Sequence, residues 1–463
     1  MDAIMPSPGR RSGQEKERAV ADAGHSGVAQ IVRSGPLKPW QLVTIILCIL
    51  INISDGLDTS AIAYAAPSIL HDWRLAPDIM GLIFSLGAAG LVCGAIFIAP
   101  LADRIGRRNI IIGAVALNGV SMLAIAAVDS VEALLALRFV TGLGIGALVP
   151  SLSVMVIEFS TERRGNIFLA LVHVGFALGA MLGAAMGAVL IESFGWRSIF
   201  VFAGMVSLVL AALSVLLLPE SLHFLLTRQP RNALARANAL LVRLDEPQLK
   251  TLPSRPPTRG TGRGTVRMLF AAEHRKTTLL LWLAAFARYF VSYFLTQWKP
   301  QILVLAGVSP ALAIASGIVT GGAAIMGALL MGTFASAIGA PRATCASFVL
   351  CAASLVIFGF IQAEPVLLLT VAAVALFAIE ATFTGVVIAA TRFYPVELRS
   401  TGVGYAIGVG RFGAIAGPYL GGALLAMNLG RAIVYPVYAA ACLIGAAAVL
   451  LAFRGRKSAA ASA

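Results

Sequence analysis

The sequence predicts an all-α polytopic membrane protein, with twelve transmembrane helices arranged as two six-helix halves. Three observations predict it: the composition, the number and length of the apolar runs, and an internal repeat. Of the 463 residues, 59% are hydrophobic and only 12% are charged, and the mean hydropathy is +0.89. Soluble domains run nearer half apolar and about a quarter charged, so an ordinary soluble enzyme is excluded. Disorder over most of the chain is excluded too, because low hydrophobicity is what keeps chains unfolded.

A helix crosses the hydrocarbon with about 20 mostly apolar residues. On that rule the first half holds spans at 41–66, 79–100, 110–128, 133–157, 166–190 and 198–218. The second holds 277–298, 311–335, 343–361, 366–390, 401–424 and 432–453. Residues 219–276 form a polar linker between them, and residues 1–39 and 454–463 are tails. The middle of the linker, EPQLKTLPSRPPTRGTGRGT, is rich in Pro, Gly and Arg and reads as flexible. Its earlier part, RNALARANALLVRL, has helical spacing and suits a solvated helix or one lying on the membrane surface.

The net charge of +14 would point to nucleic acid in a soluble chain. Here the positive-inside rule accounts for it, and no nucleic-acid partner is expected. With the N-terminus placed inside, 28 of the 35 Lys and Arg fall in inside segments. Four fall in outside loops (Arg74, Arg197, Lys299 and Arg431), and Arg138, Arg288 and Arg411 lie within spans. Without the long linker the split is still 17 to 4, so both termini are expected to be cytoplasmic. The expected location is a bacterial cytoplasmic membrane, with the lipid bilayer as solvent.

Cys48, Cys93, Cys345, Cys351 and Cys442 sit in apolar stretches without CxxC spacing, and the His residues form no HExxH. Neither a disulfide framework nor a metal site is expected. Residues 1–39 are polar, so no signal peptide is read there. A GxxxxGK[ST] loop does not occur, which disfavours an ATP-driven pump or a membrane enzyme. No cofactor is expected, and a proton gradient is the expected energy source.

The halves repeat at a nearly constant offset. Gly179, Gly183 and Gly187 become Gly413, Gly417 and Gly421 at 234 residues. LADRIGRR returns as FASAIGAPR, pairing Ala102 with Ala335 and Gly106 with Gly339. EFSTERRG returns as FYPVELRS, pairing Glu162 with Glu397 and Arg164 with Arg399. Two six-helix repeats with a site between them are the architecture of a secondary transporter. Glycines at i, i+4 and i+8 make a smooth stripe on which another helix packs closely.

Ala99-Pro-Leu-Ala-Asp103-Arg104-Ile-Gly106-Arg107-Arg108 matches the G-x-L-A-D-R-x-G-R-R signature of the major facilitator superfamily, except that Ala99 replaces the first Gly. Arg138-Phe-x-x-Gly142-Leu-Gly144-x-Gly146 and Pro219-Glu220-Ser221 carry the same resemblance, which covers roughly 40–455. Asp55-Gly56-Leu57-Asp58-Thr59 resembles the DGxD motif of the aromatic acid:H+ symporter family. Tyr394-Pro-x-x-x-Arg399-x-Thr401-Gly402 and Gly410-Arg411-x-Gly413 resemble that family as well. The resemblance implies a major facilitator fold and uptake of a benzoate-like or hydroxybenzoate-like anion together with H+. Lys299, in Gln297-Trp298-Lys299-Pro300, departs from it by adding a base where a neutral residue is expected.

Ionisable groups deep in a span cost at least ~2.5–3.5 kcal/mol on insertion scales, so they mark function. Asp55 and Asp58 share one helix face near mid-bilayer, and two desolvated carboxylates so close titrate as a coupled pair. They are the candidate proton-coupling residues, with fixed pairing to an Arg as the alternative. Arg411 and Arg288 are candidate carboxylate binders, since a guanidinium offers two parallel hydrogen bonds and stays charged. The alternative is helix-to-helix pairing, with Glu380 as an available acid. Tyr289 and Tyr293 stand ready to stack on a ring, and His173 is either a packing residue or a ligand contact. Asp103, Arg104, Gly106, Arg107 and Arg108 form a candidate latch, with Asp103 capping the next helix or pairing across the seam between halves. Glu158 with Arg163 and Arg164, and Glu397 with Arg399, are expected to bridge the halves at the inner gate, and Arg138 is a gating or structural residue. The expected function is proton-coupled import of a small organic anion, an aromatic carboxylate, by alternating access. Transport of another organic anion, export, and a non-transporting membrane sensor remain the competing readings.

Overall fold

With no water in hydrocarbon, every backbone polar group must be satisfied within its own segment, and helices do this. The computed structural model describes residues 33–253, 268–361 and 364–461. Among them twelve long helices run in sequence. They are α1 Pro39–Asp72, α2 Pro77–Cys93, α3 Arg107–Ala127, α4 Val131–Phe159, α5 Gly165–Phe194 and α6 Arg197–Leu217, then α7 Ala272–Leu305, α8 Pro310–Ala337, α9 Ala340–Phe360, α10 Pro365–Phe393, α11 Val396–Ala426 and α12 Arg431–Ala461. Eleven are long and apolar enough to cross a membrane. The other, α11, has the length at 31 residues but is diluted by eight glycines and Arg411. Ile96, Phe97, Leu216 and Val366 stand exposed on the outside of the bundle, a surface that only an apolar solvent suits. Most of the N-terminal tail and the Pro/Gly/Arg-rich stretch of the linker lie outside the described residues.

The repeat in sequence is a repeat in packing. Helix α1 packs on α5, α2 on α4 and α3 on α6; α7 packs on α11, α8 on α10 and α9 on α12. The glycine stripes make the tightest of these crossings. A Cβ at Gly56 would collide with the Phe176 carbonyl, and one at Gly179 with the Ile53 carbonyl. In the second half, Gly413 and Gly417 meet the carbonyls of Phe286 and Phe290 in the same way.

Two cross-half contacts are related by the same symmetry, α2 with α11 and α5 with α8. Both close approaches lie away from the face that carries the start of α1 and the linker, here termed the terminal face. Gly81 abuts Pro418 and Gly422, Ser85 Oγ donates to the Ile415 carbonyl at 2.7 Å, and Gly317 abuts Ala184 and Tyr64. Trp298 stands edge-on to Phe84 at 5.3 Å and donates to the Pro418 carbonyl at 2.9 Å. The seam is closed at its far end.

Helix α2 does not stop at Cys93. It continues as a π turn, Gly94–Ile98, then a 3-10 turn, Ala99–Leu101, and a last α turn, Ala102–Ile105. The described part of the linker is packed against the first half. Its helix Leu222–Arg228 begins on a Ser221 cap, and Ala233–Arg243 buries Ala237, Leu240 and Leu241 against the first half. Lys38 Nζ donates to the Leu244 and Asp245 carbonyls and to Glu246 at that helix's end, so the entry to α1 is tied to the linker. Lys299, expected in an outside loop, lies inside α7 and is buried, because the helix runs on through Pro300 to Leu305.

Candidate functional site

Helix α1 carries Asp55 and Asp58 into the interior, each only 1% exposed. The Phe176 carbonyl fills the space beside Gly56 between them, so α5 approaches as closely as backbone allows. Ser207 of α6 donates to Asp58 Oδ2 at 2.9 Å and is itself hydrogen-bonded to Ser54 at 2.8 Å. Arg138 of α4, also buried, is within electrostatic reach of Asp58 and lies against Gly87 of α2. Asp55 differs. Neither of its oxygens meets a described hydrogen-bond partner, and its charged neighbours are Asp58 and, across the seam, Arg411 of α11. Buried polar groups are ordinarily satisfied, so a bare carboxylate marks a place where a proton, water or ligand belongs.

Arg411 and Arg288 lie in the second half but have different surroundings. Arg288 Nη2 donates to Glu380 of α10, and Ser292 Oγ donates to the other Glu380 oxygen at 2.8 Å. The guanidinium also lies over the rings of Tyr289 at 4.5 Å and Phe383 at 4.7 Å. Arg411 has no ion pair among the described residues, is half-buried, and is within electrostatic reach of Tyr293 and Asp55. The acid that sequence offered to either arginine is therefore taken by Arg288. Removing one partner of such a buried pair strands the other charge, so Arg288→Ala is expected to cost about 3 kcal/mol of stability. Thermal unfolding in detergent checks this, with Arg411→Ala, which strands no paired acid, as the milder control.

His173 is exposed on α5. The structure brings Asp55, Asp58, Arg138, Arg411, Tyr293, Tyr289, Arg288 and Glu380 to the middle of the bundle. Sequence reasoning missed Ser207, Ser292 and Phe383. Serines in apolar spans carry no signal of their own, although Phe383 follows Glu380 by three residues and so shares its helix face.

The latch residues gather at the terminal end of the first half. Arg107 pairs with Asp103 at 3.3 Å and with Glu158, and Ser221 also donates to Glu158. Arg108 Nε caps α6 at the Leu218 carbonyl at 2.7 Å, while its backbone N–H donates to Glu220 at 3.2 Å. The bridges expected between halves from Asp103 and Glu158 thus stay within the first half, because Arg107 reaches both acids from the start of α3. Asp103 does not cap α3 either; Gly106 is its N-cap. Arg104, Arg163, Arg164 and Arg399 are exposed, and the Glu397 side chain lies outside the described residues. Gly106 has φ of 102° with the Glu220 carboxylate where a Cβ would go. Gly106→Ala is expected to cost at least about 1–2 kcal/mol from backbone strain alone, read as lowered membrane abundance and unfolding temperature. Gly339, at φ 88° with open space around it, is expected to lose less on the same change.

A 4-hydroxybenzoate transporter of Pseudomonas aeruginosa is 33% identical over 433 residues, 92% of this chain and 95% of that one. A gallate transporter of Pseudomonas putida is 33% identical over 88% of this chain and 92% of its own. A 3-(3-hydroxy-phenyl)propionate transporter of Escherichia coli is 33% identical over 89% and 93%. A bacterial homologue of the human lysosomal transporter Spinster, solved in an inward-facing and occupied conformation, superposes with a TM-score of 0.71 at 17% identity, over 91% of this chain and 98% of that one, and so shares the fold. The Major Facilitator Superfamily pattern matches residues 48–335. This chain belongs to the Major Facilitator Superfamily and is a multi-pass membrane transporter rather than an enzyme.

Proposed function

We propose that the protein imports an aromatic carboxylate with H+ across the bacterial cytoplasmic membrane by alternating access. One observation carries the reading: at mid-span, the Arg411 guanidinium, with no ion pair among the described residues, is within electrostatic reach of Tyr293 and of the Asp55 carboxylate, whose oxygens meet no described hydrogen-bond partner. Asp55 in its charged form competes for Arg411. A proton on Asp55 leaves the guanidinium to bind a carboxylate through two parallel hydrogen bonds, so anion and proton enter together. Asp58, held by Ser207 near Arg138, couples to the same proton. Tyr293, Tyr289 and Phe383 offer faces to a ring, and the Arg288–Glu380 pair fixes two of them. The three relatives named above carry substrates that join a hydroxylated ring to a carboxylate, which suits such a lining.

The terminal face is assigned to the cytoplasm by its excess of Lys and Arg. The far-end seal of Trp298, Phe84 and Pro418 then closes the outer side, and the exposed Arg104, Arg163, Arg164 and Arg399 are our candidates for contacts between the halves when the inner side closes. Uptake of labelled 4-hydroxybenzoate, gallate, benzoate and an aliphatic acid by cells tests the reading. The expected result is accumulation of an aromatic acid that collapses with a protonophore. Accumulation of the aliphatic acid alone, or uptake indifferent to the protonophore, overturns it.

A further inference from the structure

We propose that Lys299 is a proton-binding site of the second half, one that loads when the far end of the seam opens and empties as it closes. The proposal rests on the proton-coupled reading above and adds a site to it. Lys299 is 6% exposed on α7, and its Nζ donates to Thr320 of α8. Thr320 spends its own hydroxyl hydrogen on the Ser316 carbonyl at 2.9 Å, so it offers the amine an acceptor and nothing else. Among the described residues Lys299 has no ion pair with a carboxylate.

Lys299 also borders a cavity of about 10 Å³, room for one water, whose other walls are apolar but for one phenol: Leu355 and Phe358 of α9, Ala372 and Leu376 of α10, and Tyr435 of α12. The Tyr435 phenol is the one titratable group in that lining, and Arg431, one turn before it, donates to the Ile361 carbonyl. An ammonium brings three donors. Thr320 offers one acceptor, the adjoining cavity has room for one water, and no carboxylate among the described residues pairs with the amine. A neutral amine is satisfied there, whereas a charged one needs the water that opening admits.

The neighbouring residue ties the pocket to the gate. Trp298 is part of the far-end seal, through Phe84 and the Pro418 carbonyl. Pro300 follows Lys299 inside α7 and removes one ladder hydrogen bond, so this end of the helix tilts readily. Breaking the seal moves Trp298 and carries Lys299 towards water. Seven residues earlier on the same face, two turns along, lie Ser292 and its partner Glu380.

The test uses full-length protein in vesicles, with 4-hydroxybenzoate as probe and the reversal potential as readout of protons per substrate. Lys299→Gln is expected to carry one proton fewer per substrate than the parent. Lys299→Met, of similar length and without a donor, replaces it if the Gln variant does not reach the membrane. Lys299→Arg, permanently charged, is expected to lose turnover. A parental ratio in the Gln or Met protein, or parental turnover in the Arg protein, overturns the proposal while leaving the transport reading intact. A parent that moves 4-hydroxybenzoate with no proton overturns the transport reading instead, and this proposal with it.

Discussion

Asp55→Asn is expected to lower concentrative uptake of 4-hydroxybenzoate at least about tenfold while leaving membrane abundance close to parental. Both halves of this expectation come from the same geometry. The Asp55 oxygens accept no described hydrogen bond, so an isosteric amide removes no structural contact. What it removes is the carboxylate that, in the proposed scheme, takes a proton and competes for Arg411. A tenfold loss corresponds to about 1.4 kcal/mol, small beside the cost of stranding a charge in the membrane. Asp58→Asn is expected to lose uptake too, with its Ser207 hydrogen bond available to the amide oxygen. Initial rates and steady-state accumulation, normalised to protein in the membrane, check both. Parental accumulation in both variants would remove the carboxylates from the coupling scheme.

Arg411→Lys keeps the charge and loses the planar fork, and is expected to weaken 4-hydroxybenzoate binding roughly 10–100-fold, the worth of one charged hydrogen bond. Arg411→Ala is expected to bind more weakly still. Neither change breaks an ion pair among the described residues, so folding should hold, which separates Arg411 from Arg288. Binding to purified protein by calorimetry, per mole of folded protein, decides the matter. Unchanged affinity in both variants would pass the role of anion binder to another cation.

Much of this fold is legible in the chain because the bilayer leaves so few solutions. Once twelve apolar runs and a repeat at one offset are seen, the order of helices follows. Helix length was the weaker reading: a span of 41–66 became Pro39–Asp72, and 277–298 became Ala272–Leu305. Apolarity reports where hydrocarbon lies, while a helix continues past it, and Lys299 was misplaced for that reason. For the site, buried charge picked out Asp55, Asp58, Arg138, Arg288 and Arg411. Sequence gives the height of a residue along its helix but not the direction it faces across the bundle. Hence it could not say that Glu380 pairs with Arg288 and leaves Arg411 open, or that Arg107 keeps Glu158 within the first half.

The interrupted end of α2 has a mechanical consequence. Between its seam contacts at Gly81 and Ser85 and the turn at Gly106, a five-residue π segment is followed by three residues of 3-10 helix. The first is underwound and the second overwound relative to α-helix, so α2 behaves as a torsion spring with its soft part near the terminal face. Its repeat counterpart α8 is α-helical from Pro310 to Ala337 without such a break and behaves as a stiff spoke. If the halves rock as proposed, twist entering α2 at the seam is absorbed before it reaches the turn at Gly106, whereas α8 transmits it to Gly339. One rim of the transporter is thereby cushioned and the other driven.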